Sequence, residues 1–147
     1  MSTIITKNRK AYFNYTILEK HLAGLVLLGS EVKSIRNNKV SISEAYCLIT
    51  AGNEIFIKHM FIGENKQSGI YNHQPLRDRK LLLKKKEIIK LSQKLINGLT
   101  IVPLELILGN TGLIKLQIGL AKGKNTINKK AVIKDRDAKR ELRKISI

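Results

Sequence analysis

Lys86, Lys90 and Lys94 recur every four residues in the stretch RDRKLLLKKKEIIKLSQKLING, so on a helix they share one side. Ile88, Leu91 and Leu95 fall at i, i+3 and i+7 and take the opposite side. A row of ammonium groups turned away from a core is suited to one task, the neutralisation of anions. Such residues are concentrated: residues 77–94 hold eight Lys or Arg against two acids, and residues 121–147 hold ten against three. Each cation set against a phosphate releases condensed counterions, so clusters of this kind give strong, salt-sensitive binding to nucleic acid. A solvated helix face accounts for one cluster. Two clusters, a basic start with Lys7, Arg9 and Lys10, and a net charge of +17 over 147 residues exceed that explanation.

Catalytic constellations do not assemble in the same way. His21, His59 and His73 are scattered without metal-ligand spacing, and each reads as an ordinary surface or core histidine. Cys47 is the one cysteine, which excludes an internal disulfide, and it falls in a predicted strand where a buried thiol is inert. Ser30 and Ser34 have no base nearby in sequence, and the acids form no close pair suited to two-metal phosphoryl chemistry. GLAKGKN, residues 119–125, is a poor phosphate loop: three residues separate its glycines instead of four, and Asn125 stands where Ser or Thr would hold magnesium. The expectation is a non-enzymatic protein with no cofactor and no metal.

A chain of this length fits one domain with a real core. Its hydrophobic fraction of 43% is near the globular norm, which argues against wholesale disorder. An anionic membrane surface is the second candidate for a polyanionic partner. It is the weaker one, because no apolar run approaches the roughly 18 residues of a spanning helix. MSTIITKNRK also lacks the apolar stretch of a signal peptide, so the expected location is cytoplasmic.

The elements that must position these cations are mostly strands. YTILEKHLAGLVLLGSEV holds one or two buried strands, with bends or bulges hinted at by Gly24 and Gly29. SEVKSIRNN reads as a short helix with Ser30 as its cap. EAYCLITAGNEIFIKHM is a hairpin turning at Gly52 and Asn53, and residues 63–76 form a polar loop. The long helix begins in RDRKLLL and ends at a cap supplied by Gly98. Two alternating strands follow, joined by GNTG, with Pro103 marking a strand edge or start. About six short strands, one long helix and one or two short ones predict a mainly β fold. A small antiparallel OB-like barrel with flanking helices is the economical architecture, since closure removes exposed edges; a β-sandwich gives a similar pattern.

Such barrels suit single strands and irregular RNA shapes, and no major-groove recognition helix stands out, so RNA is favoured over DNA. Aromatic residues are scarce at 5%, so base stacking is not expected to dominate. Tyr12, Phe13, Tyr15 and Tyr71 are the candidate stackers, at least two of them expected in the core.

Five blocks, NRKA, LAGLVLLGSEVKSIR, PLRDRKLLLKKKEI, GLTIVPLELIL and GLAKGK, occur in an order and spacing that closely resemble small protein B, the SsrA-binding protein family of bacteria. The resemblance runs from Asn8 to at least Lys124. It implies an OB-like barrel that binds transfer-messenger RNA (tmRNA) and carries it to ribosomes stalled on broken messages, in trans-translation. It also implies a C-terminal tail, disordered when free, that becomes helical on the ribosome within the decoding centre and mRNA channel, against small-subunit rRNA. By position, Asn8 and Leu81 match family residues implicated in tmRNA contact. Arg9, Lys10, Lys33, Arg36, Arg79 and Lys80 supply neighbouring phosphate contacts, while Glu31 is a candidate for ordering the helix that carries Lys33 and Arg36.

The resemblance also implies ribosomal contacts from Lys122, Gly123, Lys124, Lys129, Lys130, Arg136, Arg140 and Arg143. Three departures from the family matter: Leu22 replaces an acid, Asn125 replaces a lysine, and Ile127-Asn128 replaces an aromatic or His followed by Asp. The expected division is a barrel over residues 1–122 and a basic tail over 123–147, acting as a monomer. On a helix, Ala131, Ala138, Leu142 and Ile145 share an apolar stripe too thin to dock firmly, opposite Lys129, Arg136, Arg140 and Arg143. Two rival readings remain open, an OB-fold ribosomal or rRNA-assembly protein and an RNA-processing enzyme.

Overall fold

The structure, a computed structural model, describes residues 3–124. Nine strands and three α-helices follow one another along this stretch, beginning with β1 (Thr3–Lys7), α1 (Arg9–Asn14), β2 (Tyr15–Leu25) and α2 (Gly29–Arg36). They continue as β3 (Val40–Ser41), β4 (Tyr46–Ile49), β5 (Ile55–Lys58), β6 (Phe61–Ile62), β7 (Arg79–Leu82), α3 (Lys85–Leu95), β8 (Thr100–Leu108) and β9 (Ile114–Gly123). Seven strands form one antiparallel sheet in the order β1-β8-β9-β2-β7-β5-β4, and β3 pairs with β6 apart from it. The sheet curls until β4 comes back against β8, which gives the barrel-like form expected from the sequence.

β2 alternates half-buried and exposed residues along its first eight positions. It pairs with β9 from Tyr15–Gly123 to Gly24–Lys115, with a bulge between Ile17 and Glu19 and none at Gly24 or Gly29. β8 is covered on both faces: Ile101 and Leu106 enter the main core, while Val102 and Leu104 pack under α1 with Ala11 and Ala121. Between these layers a Cβ at Gly119 would lie 2.8 Å from Leu104 Cδ1 and 3.1 Å from Ile17 Cγ2, so any larger residue would have to push these packed side chains aside. The hairpin 46–58 turns as expected, with Asn53 at φ 60.

Four readings change. The stretch RDRKLLLKKKEIIKL is a strand and then a helix: β7 lies between β2 and β5, and α3 starts only at Lys85. Leu81 at the strand's centre is buried in the main core. Pro103 is interior to β8, at a register shift before Glu105, where a missing ladder donor is tolerated. Residues 3–7 are an edge strand paired with β8, and the strand count exceeds six because the two-residue strands β3 and β6 carry no periodicity of their own. Ser30 does not cap α2. The N-cap is Leu28, and the buried Ser30 hydroxyl bonds His73 Nδ1 at 2.8 Å.

Candidate nucleic-acid interface

α2 carries Lys33 and Arg36 to the surface, and its other side holds Ser30, Glu31, Ser34 and Ile35 buried. Glu31 fixes that orientation. Its carboxylate accepts the Leu28 amide at 2.8 Å, which closes the first turn, and Arg77 Nη2 at 2.7 Å. Its second oxygen accepts Arg79 Nε at 2.7 Å and Arg77 Nε at 3.1 Å. Arg79 in turn donates to the carbonyls of Met60, Gln74 and Pro75, so one guanidinium ties β7, the loop before it and α2 together.

Burial works against the charged form of Glu31, but hydrogen bonds from Arg77, the Leu28 amide and Arg79 outweigh it and hold the carboxyl below its ordinary value. Burial lowers Arg79 from its ordinary value despite the same carboxylate, yet a guanidinium stays charged. The pair is therefore ionic. Glu31 thus has the helix-ordering geometry anticipated for it.

Three residues expected at an RNA surface lie inside the protein. Arg79 is 0% exposed and its donors are committed to Glu31 and backbone carbonyls. Leu81 is 1% exposed, packed in the core as the central residue of β7. Asn8, 3% exposed, caps α1 by accepting the Ala11 amide, and its NH₂ donates to the carbonyls of Pro103 and Ile42. Buried groups with satisfied donors have nothing left to offer a phosphate. Their effect on any surface contact runs through α1, α2 and β7, which they hold in place.

The remaining described candidates reach solvent. Arg9, Lys33, Arg36, Lys122, Gly123 and Lys124 are exposed. Lys10 pairs with Glu44 at 2.7 Å and Lys80 with Glu54 at 2.9 Å, both in exposed pairs that a phosphate can replace. Arg36 Nη2 lies beside the β8–β9 turn, 3.5 Å from where a Cβ at Gly112 would stand. Lys124 follows β9, its amide bonded to the Asn14 carbonyl and its ammonium 3.4 Å from the Tyr12 carbonyl, which fixes the start of the tail against α1. Lys129, Lys130, Arg136, Arg140 and Arg143, with Asn125, Ile127 and Asn128, lie outside the described residues.

Of the possible stackers, Tyr12 and Tyr15 pack against the core under α1, and Phe13 stands 76% exposed. The ammonium groups of Lys7 and Lys20 lie 5.0 and 5.5 Å from the Tyr12 ring centroid, a doubled cation–π contact that sequence spacing did not reveal. Tyr71's side chain is outside the described set.

The candidate catalytic groups are dispersed. Burial pushes the Cys47 thiol up to about 12. His73 is buried between the Ser30 hydroxyl and the Ile62 carbonyl, and His21 lies between Glu19 and Glu87. Glu31, Glu54 and Glu87 each have separate partners, and no three His, Cys, Asp or Glu among the described residues converge to hold a metal. No helix among the described residues is long and apolar enough to cross a membrane.

Fold and surface define a small antiparallel β-barrel protein whose helices turn cations outward, with the α2 acid Glu31 buried, a design for polyanionic partners. The family model described as SmpB protein matches residues 5–146. SsrA-binding proteins from Christiangramia forsetii and Treponema denticola are 46% and 48% identical, over 98% and 96% of this chain and 92% and 91% of theirs. One from Wolbachia pipientis is 47% identical over 97% and 96%. A solved chain from a study described as "tmRNA-SmpB: a journey to the center of the bacterial ribosome" superposes with a TM-score of 0.67 at 37% identity, over 81% of this chain and 83% of that one. The chain belongs to the SmpB family, that of the SsrA-binding proteins.

Proposed function

We propose that this protein is a non-enzymatic RNA-binding adaptor, active in the cytoplasm, that binds tmRNA and delivers it to stalled ribosomes for trans-translation. The carrying observation is identity of 46–48% along nearly the full length of proteins named for SsrA binding, joined to a surface on α2 where Lys33 and Arg36 make no ion pair with a described carboxylate. Direct phosphate contacts are assigned to Arg9, Lys10, Lys33, Arg36 and Lys80. Asn8, Arg79 and Leu81 act by positioning the elements that carry them. The tail from Gly123 is assigned to ribosomal RNA in the decoding centre and mRNA channel, with Lys122 and Lys124 at its root.

The test is binding of a tmRNA transcript by Lys33→Ala/Arg36→Ala across a salt series. The expected outcome is weaker binding and a slope of log K against log salt reduced by about 1 to 2. Unchanged affinity and slope remove α2 from the interface. Removal of residues 125–147 tests the second assignment: tmRNA binding is retained and peptide tagging is lost. Copurification with ribosomal subunits in fixed proportion, and without tmRNA, would instead identify a ribosomal or rRNA-assembly protein.

A further inference from the structure

The loop between β6 and β7 carries an isoleucine that no part of the barrel covers. Ile70 is 91% exposed, more than any other large apolar side chain among the described residues. Its loop is nonetheless firmly built. The Asn72 side chain accepts the Asn65 amide at 2.8 Å and donates to the Asn65 carbonyl at 2.7 Å, which clasps the loop across its neck. Inside the clasp, two short 3-10 turns within Lys66–Tyr71 meet at Gly69. They are closed by the Ser68 amide on the Asn65 carbonyl and the Asn72 amide on the Gly69 carbonyl. Gly69 takes φ 53, a left-handed value that a side chain would oppose, and it aims the residue that follows. Single apolar residues on a surface are ordinary, so the weight of the observation lies in where this one stands.

Both feet of the loop are tied to α2. At one foot the Gly63 amide donates to the carbonyl of Lys39, just past the end of the helix, at 2.8 Å. At the other, buried His73 bonds the Ser30 hydroxyl at 2.8 Å and the Ile62 carbonyl at 2.9 Å. Ser30 and Lys33 are neighbours on the helix surface at i, i+3. The loop thus runs alongside α2 from its exit to its first turn, and Ile70 shares a support with the exposed Lys33, Arg36 and Lys39. The loop's own exposed charges, Glu64 and Lys66, cancel, so it adds contact area and no net field. A polyanion held by α2 offers apolar surface only where its bases leave the stack; a paired helix hides those faces. We infer that Ile70 is an apolar contact for tmRNA, packing against an unpaired base of the strand whose phosphates α2 holds. This inference rests on the adaptor reading and deepens it: the cations supply attraction, and Ile70 separates RNA with a single-stranded loop from plain duplex.

The test uses the full chain with Ile70→Ser. The side chain is almost wholly in solvent, so the urea unfolding curve should match that of the unaltered protein. Binding is measured over roughly 50 to 200 mM salt to a transcript of the tRNA-like domain of tmRNA and to a fully paired RNA duplex of equal length. Affinity for the transcript is expected to fall about five- to tenfold at every salt concentration, the scale of one apolar side chain left unburied. The slope against log salt should not change, because no cation is removed. Duplex binding should stay within about twofold, and Ile70→Leu, which keeps the apolar area, should bind the transcript within about twofold of the unaltered chain. Transcript affinity equal to that of the unaltered chain overturns the inference, even if peptide tagging is lost, since the loop would then serve a protein or the ribosome. An equal loss on the duplex overturns it as well. The unaltered chain separates the two claims: if it does not prefer the transcript to the duplex, the adaptor reading fails and takes this one with it; if it does and Ile70→Ser matches it, only this inference fails.

Discussion

α2 and α3 both turn cations outward, but they are held by opposite means. Beneath α3 lie Ile88 and Leu91, an apolar support that carries no charge of its own. Beneath α2 lie Ile35 and a buried ionic cluster of Glu31 with Arg77 and Arg79. Apolar burial places a helix on a surface but lets it adjust; a carboxylate held by four directed donors fixes its rotation. The helix assigned to tmRNA is the one whose orientation is set by charge.

That contrast can be broken most forcefully at its centre. Glu31→Ala leaves Arg79 buried without its counter-ion and should cost about 3–5 kcal/mol in urea unfolding. A loss under about 1 kcal/mol would mean the cluster is dispensable. Next comes Leu91→Ala under α3, expected to cost about 2–5 kcal/mol through lost burial and the cavity left behind. tmRNA affinity of the folded fraction should survive the second change and not the first; equal losses would erase the distinction between the helices.

Acid should also separate them. The Glu31 carboxyl is depressed in the folded state, so its stabilisation is complete above its ordinary value of 4.5 and is lost as pH falls through the lower folded value. Hydrogen exchange across that range is expected to show α2 opening before α3; simultaneous opening would count against the ionic anchor. The smallest effect belongs to Ser34, whose buried hydroxyl has no hydrogen-bond partner among the described residues. Ser34→Ala should change stability by less than about 0.5 kcal/mol or raise it slightly, measured by the same unfolding curve.

The sequence made some of this visible and hid the rest for physical reasons. The hairpin at 46–58 was legible because alternation and a turn at Gly52-Asn53 are local signals. β7 was not: three leucines preceding a helical pattern satisfy either period, and only pairing with β2 and β5 decides between them. Pro103 misled because its bulge depends on the facing strand. Arg79 misled most, since an arginine amid lysines reads as surface, while the groups that draw it inside lie at Glu31, Met60, Gln74 and Pro75. The exposure of Lys33 and Arg36 was legible because a helix face needs only its own residues to be read. The family resemblance reached Asn8 and Leu81 by position and could not say that both are interior.

Asn8 carries a consequence for the order of events during synthesis. Its side chain bonds the carbonyl of Pro103, 95 residues later in the chain, and its amide bonds the carbonyl of Leu104. Neither acceptor exists until roughly two-thirds of the protein has been made, and contacts this distant form slowly. The first strand and helix must therefore wait in a provisional state while the middle of the barrel assembles without them, and β8 is the late arrival that recruits the N-terminus into the finished molecule.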